Sequence, residues 1–125
     1  MTPVKQSQLY AEDGIGNGDC FAAALASLLD IPLWMVPPFH QMFGRRGNVW
    51  RERAEEWLRR FFSVDLVRTE GDLAGCFSFY IANGPSSRGV HHSCIYFDGQ
   101  LVHDPHPSNE GITAVEWCYR LEKRS

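Results

Sequence analysis

Cys20 ends the run Gly16-Asn17-Gly18-Asp19-Cys20 and opens Phe21-Ala22-Ala23-Ala24-Leu25, where glycine freedom gives way to helical spacing. A thiol attacks only as thiolate, and a helix start favours that anion through its unbonded N–H groups and the positive end of its dipole. The preceding glycines let backbone approach closely, so a substrate carbonyl could reach the thiol with its oxyanion on the Cys20 N–H. Such a nucleophile needs a base, and the base needs a third group to orient it. Both types occur later in the chain, as His91-His92-Ser93-Cys94 and His103-Asp104-Pro105 on either side of Asp98-Gly99. A free cysteine also packs as a small hydrophobe, so Cys20 acquires chemical meaning only through these partners.

Which histidine would meet Asp104 depends on the turn between them. A two-residue type I′ turn at Asp98-Gly99 pairs Ser93 with Asp104 and sets His91 diagonal to it. A three-residue turn, Phe97-Asp98-Gly99 with Gly99 as the left-handed bulge residue, sets His92 directly opposite Asp104. Both registers are open at this level. A second chemistry, Zn²⁺ binding by His91, His103, His106 and a cysteine, is suggested by the two histidines flanking Asp104. No Cys-x-x-Cys pair or helical His-x-x-x-His supports it.

These residues have to be positioned by helices and strands. A helix is predicted from about Cys20 to Leu29, with Asp19 as its N-cap and Asp30-Ile31-Pro32 as its stop. Leu33 to Phe43, broken by Pro37 and Pro38, reads as a packed loop. A second helix from about Asn48 to Phe62 carries Trp50, Ala54, Trp57, Leu58 and Phe61 on one face, with Glu55/Arg59 and Glu56/Arg60 as i, i+4 pairs on the other. Strands follow at Val64 to Thr69, Phe77 to Ala82, His91 to Phe97, Gln100 to Asp104 and Thr113 to Leu121. Helices first and an antiparallel sheet afterwards predict an α+β domain.

The 125 residues, 44% hydrophobic, suffice for one domain with a real core. Net charge is −3 and no basic run exceeds Arg45-Arg46, which argues against nucleic acid as a partner. Arg45-Arg46 itself reads as a solvated loop, with a substrate contact as the alternative. No apolar run approaches the roughly 20 residues needed to span a bilayer, and Met1 to Tyr10 lack the pattern of an export signal. The expectation is a soluble cytoplasmic protein with reduced thiols at Cys20, Cys76, Cys94 and Cys118, no cofactor and no membrane partner.

The chain resembles the papain-like cysteine peptidase superfamily, in particular its small, uncharacterised bacterial and phage members. The resemblance rests on Pro3-Val4-Lys5-Gln6, Gly18-Asp19-Cys20-Phe21 with Ala24-Ser27-Leu28-Leu29 and Ile31-Pro32, Val36-Pro37, Gly84-Pro85-Ser86, Arg88-Gly89, and Leu101-Val102-His103-Asp104-Pro105-His106-Pro107-Ser108. It implies helices packed on a C-terminal antiparallel sheet and a triad in which Cys20 is the nucleophile, His92 rather than His91 the base, and Asp104 the orienting carboxylate. It also implies an oxyanion-hole glutamine, for which Gln6 is the match and Gln8 the rival. Asn17-Gly18-Asp19-Cys20-Phe21 is similar to the nucleophile motif of ovarian-tumour-type deubiquitinases. The implied activity is thiol-dependent hydrolysis of an amide-type bond in a peptide or protein, with a cell-wall peptide or a modifier conjugate among the candidate substrates. A catalytically silent binding module of the same fold, with Trp34, Met35, Phe39 and Phe43 along a groove, is the alternative.

Overall fold

Small and apolar residues dominate the first helix, and this composition suits a helix covered on all sides. In the computed structural model, which describes residues 1–7 and 19–124, α1 spans Cys20–Leu29 and every residue from Cys20 to Ser27 is buried. The helix stops at Asp30, whose left-handed backbone (φ 58°) lets its N–H reach the carbonyls of Ala26 and Ser27. The expected packed loop instead holds a 3-10 turn, Leu33–Met35, and a short helix α2, Phe39–Phe43.

Helix α3 spans Val49–Phe62 and buries Ala54 and Leu58. Phe61, expected on the buried face, is 63% exposed, with the Arg60 guanidinium 5.5 Å from its ring centroid. The acidic residues also pair differently from expectation. Glu55 meets Arg51 at 3.0 Å and Glu56 meets Arg53 at 3.2 Å, while Arg59 turns to Asp65 at 2.9 Å, past the helix end.

Five strands follow: β1 Val64–Glu70, β2 Phe79–Pro85, β3 His91–Phe97, β4 Gln100–His103 and β5 Trp117–Lys123. They form one antiparallel sheet in the order β1-β5-β2-β3-β4. The α+β class expected from the sequence is therefore the class observed. Phe21, Leu25 and Leu58 pack with Ile81, Ile95 and Tyr119 in the larger core. A smaller core gathers Tyr80, Ala82, Cys94, Tyr96 and Cys118 with Leu73, Ile112 and Val115 around it. Among the described residues no single helix is long and apolar enough to cross a membrane.

The β3–β4 hairpin sets the register on which the site depends. Asp98 (φ 50°) and Gly99 (φ 75°) form a two-residue connection with positive φ at both positions, the type I′ pattern, and Phe97 pairs with Gln100 and Tyr96 with Leu101. The next pair is Ile95 with His103, so Val102 is an extra residue bulged out of β4. Neither register derived from the sequence is the one observed. A single inserted residue exchanges the faces of everything beyond it. The bulge thereby carries Asp104 to the level of Cys94 and onto the face that Cys94 shares with His92. Across β3 on the other side, Gly84 pairs with His92, and a side chain at Gly84 would meet the Ala114 carbonyl oxygen at 1.8 Å. Glycine at that position lets the segment before β5 close over the strand beside the histidine.

Candidate active site

Cys20 is the first residue of α1 and is 3% exposed. Asp19 precedes it but does not cap the helix with its side chain. Its carboxylate accepts the Ser7 N–H at 2.9 Å and the Ser7 hydroxyl at 2.5 Å, tying the N-terminal segment to the start of α1. Burial alone pushes the Cys20 thiol up. The hydrogen bond and charge of His92, the charge of Arg45 and the Ser93 N–H outweigh it and bring the thiol down to about 7.

His92 Nε2 lies 2.5 Å from Asp104 Oδ1, with side chains 3% and 1% exposed. Asp104 also accepts the His106 N–H on Oδ1 at 2.9 Å and the Gly111 N–H on Oδ2 at 2.8 Å. Burial opposes its ionisation, but these hydrogen bonds and the His92 charge hold its carboxyl well below the usual carboxylate range. Burial likewise disfavours a charged His92. Hydrogen bonds to Asp104, Cys20 and Cys94 prevail and raise it to about 11. With Nε2 committed to Asp104, Nδ1 is the ring nitrogen left for the Cys20 thiol. Both shifts favour a thiolate beside an imidazolium over a neutral thiol beside a neutral imidazole.

The other buried cysteines respond differently, Cys94 even though it too bonds His92. Cys94 and Cys118 are both raised, chiefly by burial, Cys118 to about 12. All four cysteines are free.

His91 does not reach Asp104. Its ring stacks on Trp117 at 5.8 Å, and its Nε2 meets Glu116 Oε1 at 2.7 Å. His103 Nε2 is 2.7 Å from the Val4 carbonyl oxygen, and His106 Nδ1 is 2.9 Å from Ser108 Oγ. The three histidines considered for zinc therefore point to three different partners. Among the described residues, the donors that do converge are those of His92, Cys94 and Asp104, all buried and within 4.8 Å of one another. They are the residues that could hold a metal, although the Asp104 carboxylate already accepts the His92 ring N–H and two backbone N–H groups.

Gln6 is half-buried, and its N–H donates to the Pro105 carbonyl oxygen at 3.0 Å. It thus sits on the segment between the Asp104 loop and the Ser7–Asp19 anchor. Gln8 and the run Gly16-Asn17-Gly18 lie outside the described residues.

A cleft of about 390 Å³ opens beside His92 and Ser93 and is walled by Phe21, Trp50, Trp117 and Tyr119. Ring centroids of Phe21 and Trp50 are 5.2 Å apart and those of Phe21 and Tyr119 5.8 Å, both edge-on, so the wall is a packed ring cluster. Arg45 also lines this cleft and acts electrostatically on both Cys20 and His40, which corrects its reading as a solvated loop residue. His40 is pushed down to about 3, first by burial and then by Arg45, so it is a neutral wall of the cleft at ordinary pH.

The groove residues proposed for a binding module do not assemble as one surface. Phe39 and Phe43 line one hollow with Met42 and Phe61, which shares no residue with the cleft, whereas Trp34, 83% exposed, and Met35 do not line it. Ser93 is a site residue for which the sequence indicated no role, and Arg45 one read chiefly as solvent-facing. Ser93 acts through a backbone N–H, which residue type does not reveal. Comparison with known proteins finds no matching family model, no matching curated protein and no matching solved structure.

Proposed function

We propose that this chain is a papain-like thiol hydrolase that cleaves an amide-type bond in a peptide or protein through a thioester intermediate. The observation that carries the proposal is the buried line Cys20–His92–Asp104, in which a thiol at a helix start is drawn below its ordinary range by an oriented imidazole. In the reaction, the Cys20 thiolate adds to the substrate carbonyl carbon. The developing oxyanion is met by the Cys20 N–H, one of the helix-start amides without an intrahelical acceptor, and by the Gln6 side chain. The His92 imidazolium gives its proton to the leaving nitrogen as the C–N bond breaks, leaving a thioester on Cys20 and a neutral imidazole. His92 then takes a proton from water, which attacks the thioester and releases the acid and the thiolate. Asp104 keeps the ring in the orientation both steps require.

Alkylation by iodoacetamide followed by peptide mapping tests the proposal. Cys20 is expected to react ahead of Cys76, Cys94 and Cys118, with a rate that inflects near the value of about 7 set by its surroundings rather than near the ~8.5 of a free thiol. Equal modification of several cysteines, or an inflection at the free-thiol value, would remove the chemical basis of the reading.

A further inference from the structure

The loop from Asp104 to Gly111 has two faces. On its inner side the N–H groups of His106 and Gly111 donate to the Asp104 carboxylate. On its outer side the Asp104 and His106 carbonyls, each preceding a proline, accept from Lys5 Nζ at 2.8 and 3.0 Å. Asn109 Oδ1 accepts from the same ammonium, so all three of its donors are placed on one loop. Prolines 105 and 107 have no N–H to contribute to a turn of their own, and the His106 carbonyl accepts from the Lys5 ammonium as well as from the Asn109 N–H within the loop at 3.2 Å.

Lys5 in turn belongs to a segment fixed at both ends. Towards the chain start, the Thr2 N–H donates to the Ser27 carbonyl at 3.0 Å and the Val4 N–H to Ser27 Oγ at 3.0 Å, both on the nucleophile helix. Towards its other end, Gln6 bonds Pro105 and Ser7 bonds Asp19, the residue before Cys20. The segment spans from the nucleophile helix to the carboxylate loop, and Lys5 is its charged contact with that loop.

We propose that Lys5 is a positioning residue of the triad: its ammonium gathers the 104–109 loop so that Asp104 holds His92 against Cys20. The proposal rests on the thiol-hydrolase reading above, and it assigns an active-site task to an exposed lysine nearly 100 positions from the residue it serves. Charge-assisted hydrogen bonds to three acceptors favour one loop geometry over looser ones. Without them the loop keeps its fold but the carboxylate loses its fixed distance from the ring, and the imidazolium that lowers Cys20 is less well held.

The test is the pH dependence of Cys20 alkylation by iodoacetamide in the full chain, compared for wild type, Lys5→Met and Lys5→Arg, with thermal unfolding measured in parallel. Lys5→Met keeps the length and apolar stem but removes the donors. It is expected to move the inflection up by about one unit, so that the rate at about pH 6 falls roughly tenfold. Lys5→Arg, which retains charge and donors, is expected to recover most of that loss. Asn109→Gly, which removes the side-chain acceptor and suits the left-handed backbone there (φ 58°), is expected to shift the inflection in the same direction by less. An unchanged inflection in Lys5→Met, even with a lower melting temperature, would overturn the proposal, as would a loss that arginine does not recover. Failure of the thiol reading itself looks different: wild-type Cys20 would then show no inflection below the free-thiol range.

Discussion

Replacing His92 by alanine is expected to slow iodoacetamide alkylation of Cys20 at neutral pH by roughly 15-fold or more, as the thiolate fraction falls from about half to a few per cent. The effect follows from opposing influences on one sulfur. Cys20 is buried, and burial is the largest single influence on it, in the direction that favours the neutral thiol. His92 supplies both a hydrogen bond and a positive charge against that influence, ahead of Arg45 and the Ser93 N–H. Once the imidazole is removed, burial dominates and the thiol should rise to at least its ordinary value. The alkylation rate of His92→Ala against pH measures this, with His91→Ala as the comparison. Because the His91 ring is engaged with Glu116 and Trp117, its removal should leave the rate of Cys20 almost unchanged. Equal loss in the two variants would contradict the assignment of the base.

Asp104→Ala is expected to cost about 3–5 kcal/mol of folding stability, the usual penalty for stripping a buried charge of its partner. The carboxylate is 1% exposed on its side chain and accepts from His92, His106 and Gly111. Its loss leaves two backbone N–H groups and an imidazolium without their acceptor inside the protein. Against a typical total of about 5–15 kcal/mol, this is a large share, readable by denaturant unfolding. The pH dependence should change as well. The Asp104 carboxyl is depressed in the folded chain, so its contribution is present above the unfolded value of about 3.9 and is lost as pH falls below it. His92 is raised to about 11, so its contribution is complete below the unfolded value of about 6.5 and drains away as pH rises towards the folded one. In Asp104→Ala both slopes, the acid one below about pH 4 and the alkaline one above about pH 6.5, are expected to flatten. A variant that kept both slopes would show that the pair is not the source of the pH dependence.

Helix α1 could be read almost residue by residue, because a run of alanines and leucines leaves few alternatives for Cys20–Leu29. Cys20, His92 and Asp104 were likewise nameable, since their side-chain chemistry is visible in residue type. Their geometry was not. Leu101 and Val102 are both apolar and both exposed, so hydrophobic alternation gives no sign that Val102 is bulged. The choice between His91 and His92 therefore turned on a feature that residue pattern does not encode. Asp19 looked like a helix cap because its type and position fit one, yet Ser7 supplies its partners through a contact across 12 positions. Lys5 stood in the sequence only as part of the run Pro3-Val4-Lys5-Gln6 and Arg45 as part of a loop, and only the folded chain places one on the Asp104 loop and the other in the cleft. Long-range contacts of this kind, not local propensity, decide how much of a site remains hidden in its sequence.

The central claim is that His92 is an imidazolium paired with the Cys20 thiolate at neutral to mildly alkaline pH. Nitrogen NMR of the histidine rings across the pH range tests it most directly, because the two ring nitrogens report their own protonation. The expected result is a His92 ring protonated at both nitrogens well above the ordinary histidine value of about 6.5, with a small shift near about 7 as Cys20 ionises beside it. A His92 that becomes neutral near the ordinary value, with no response to replacement of Cys20 by serine, would contradict it.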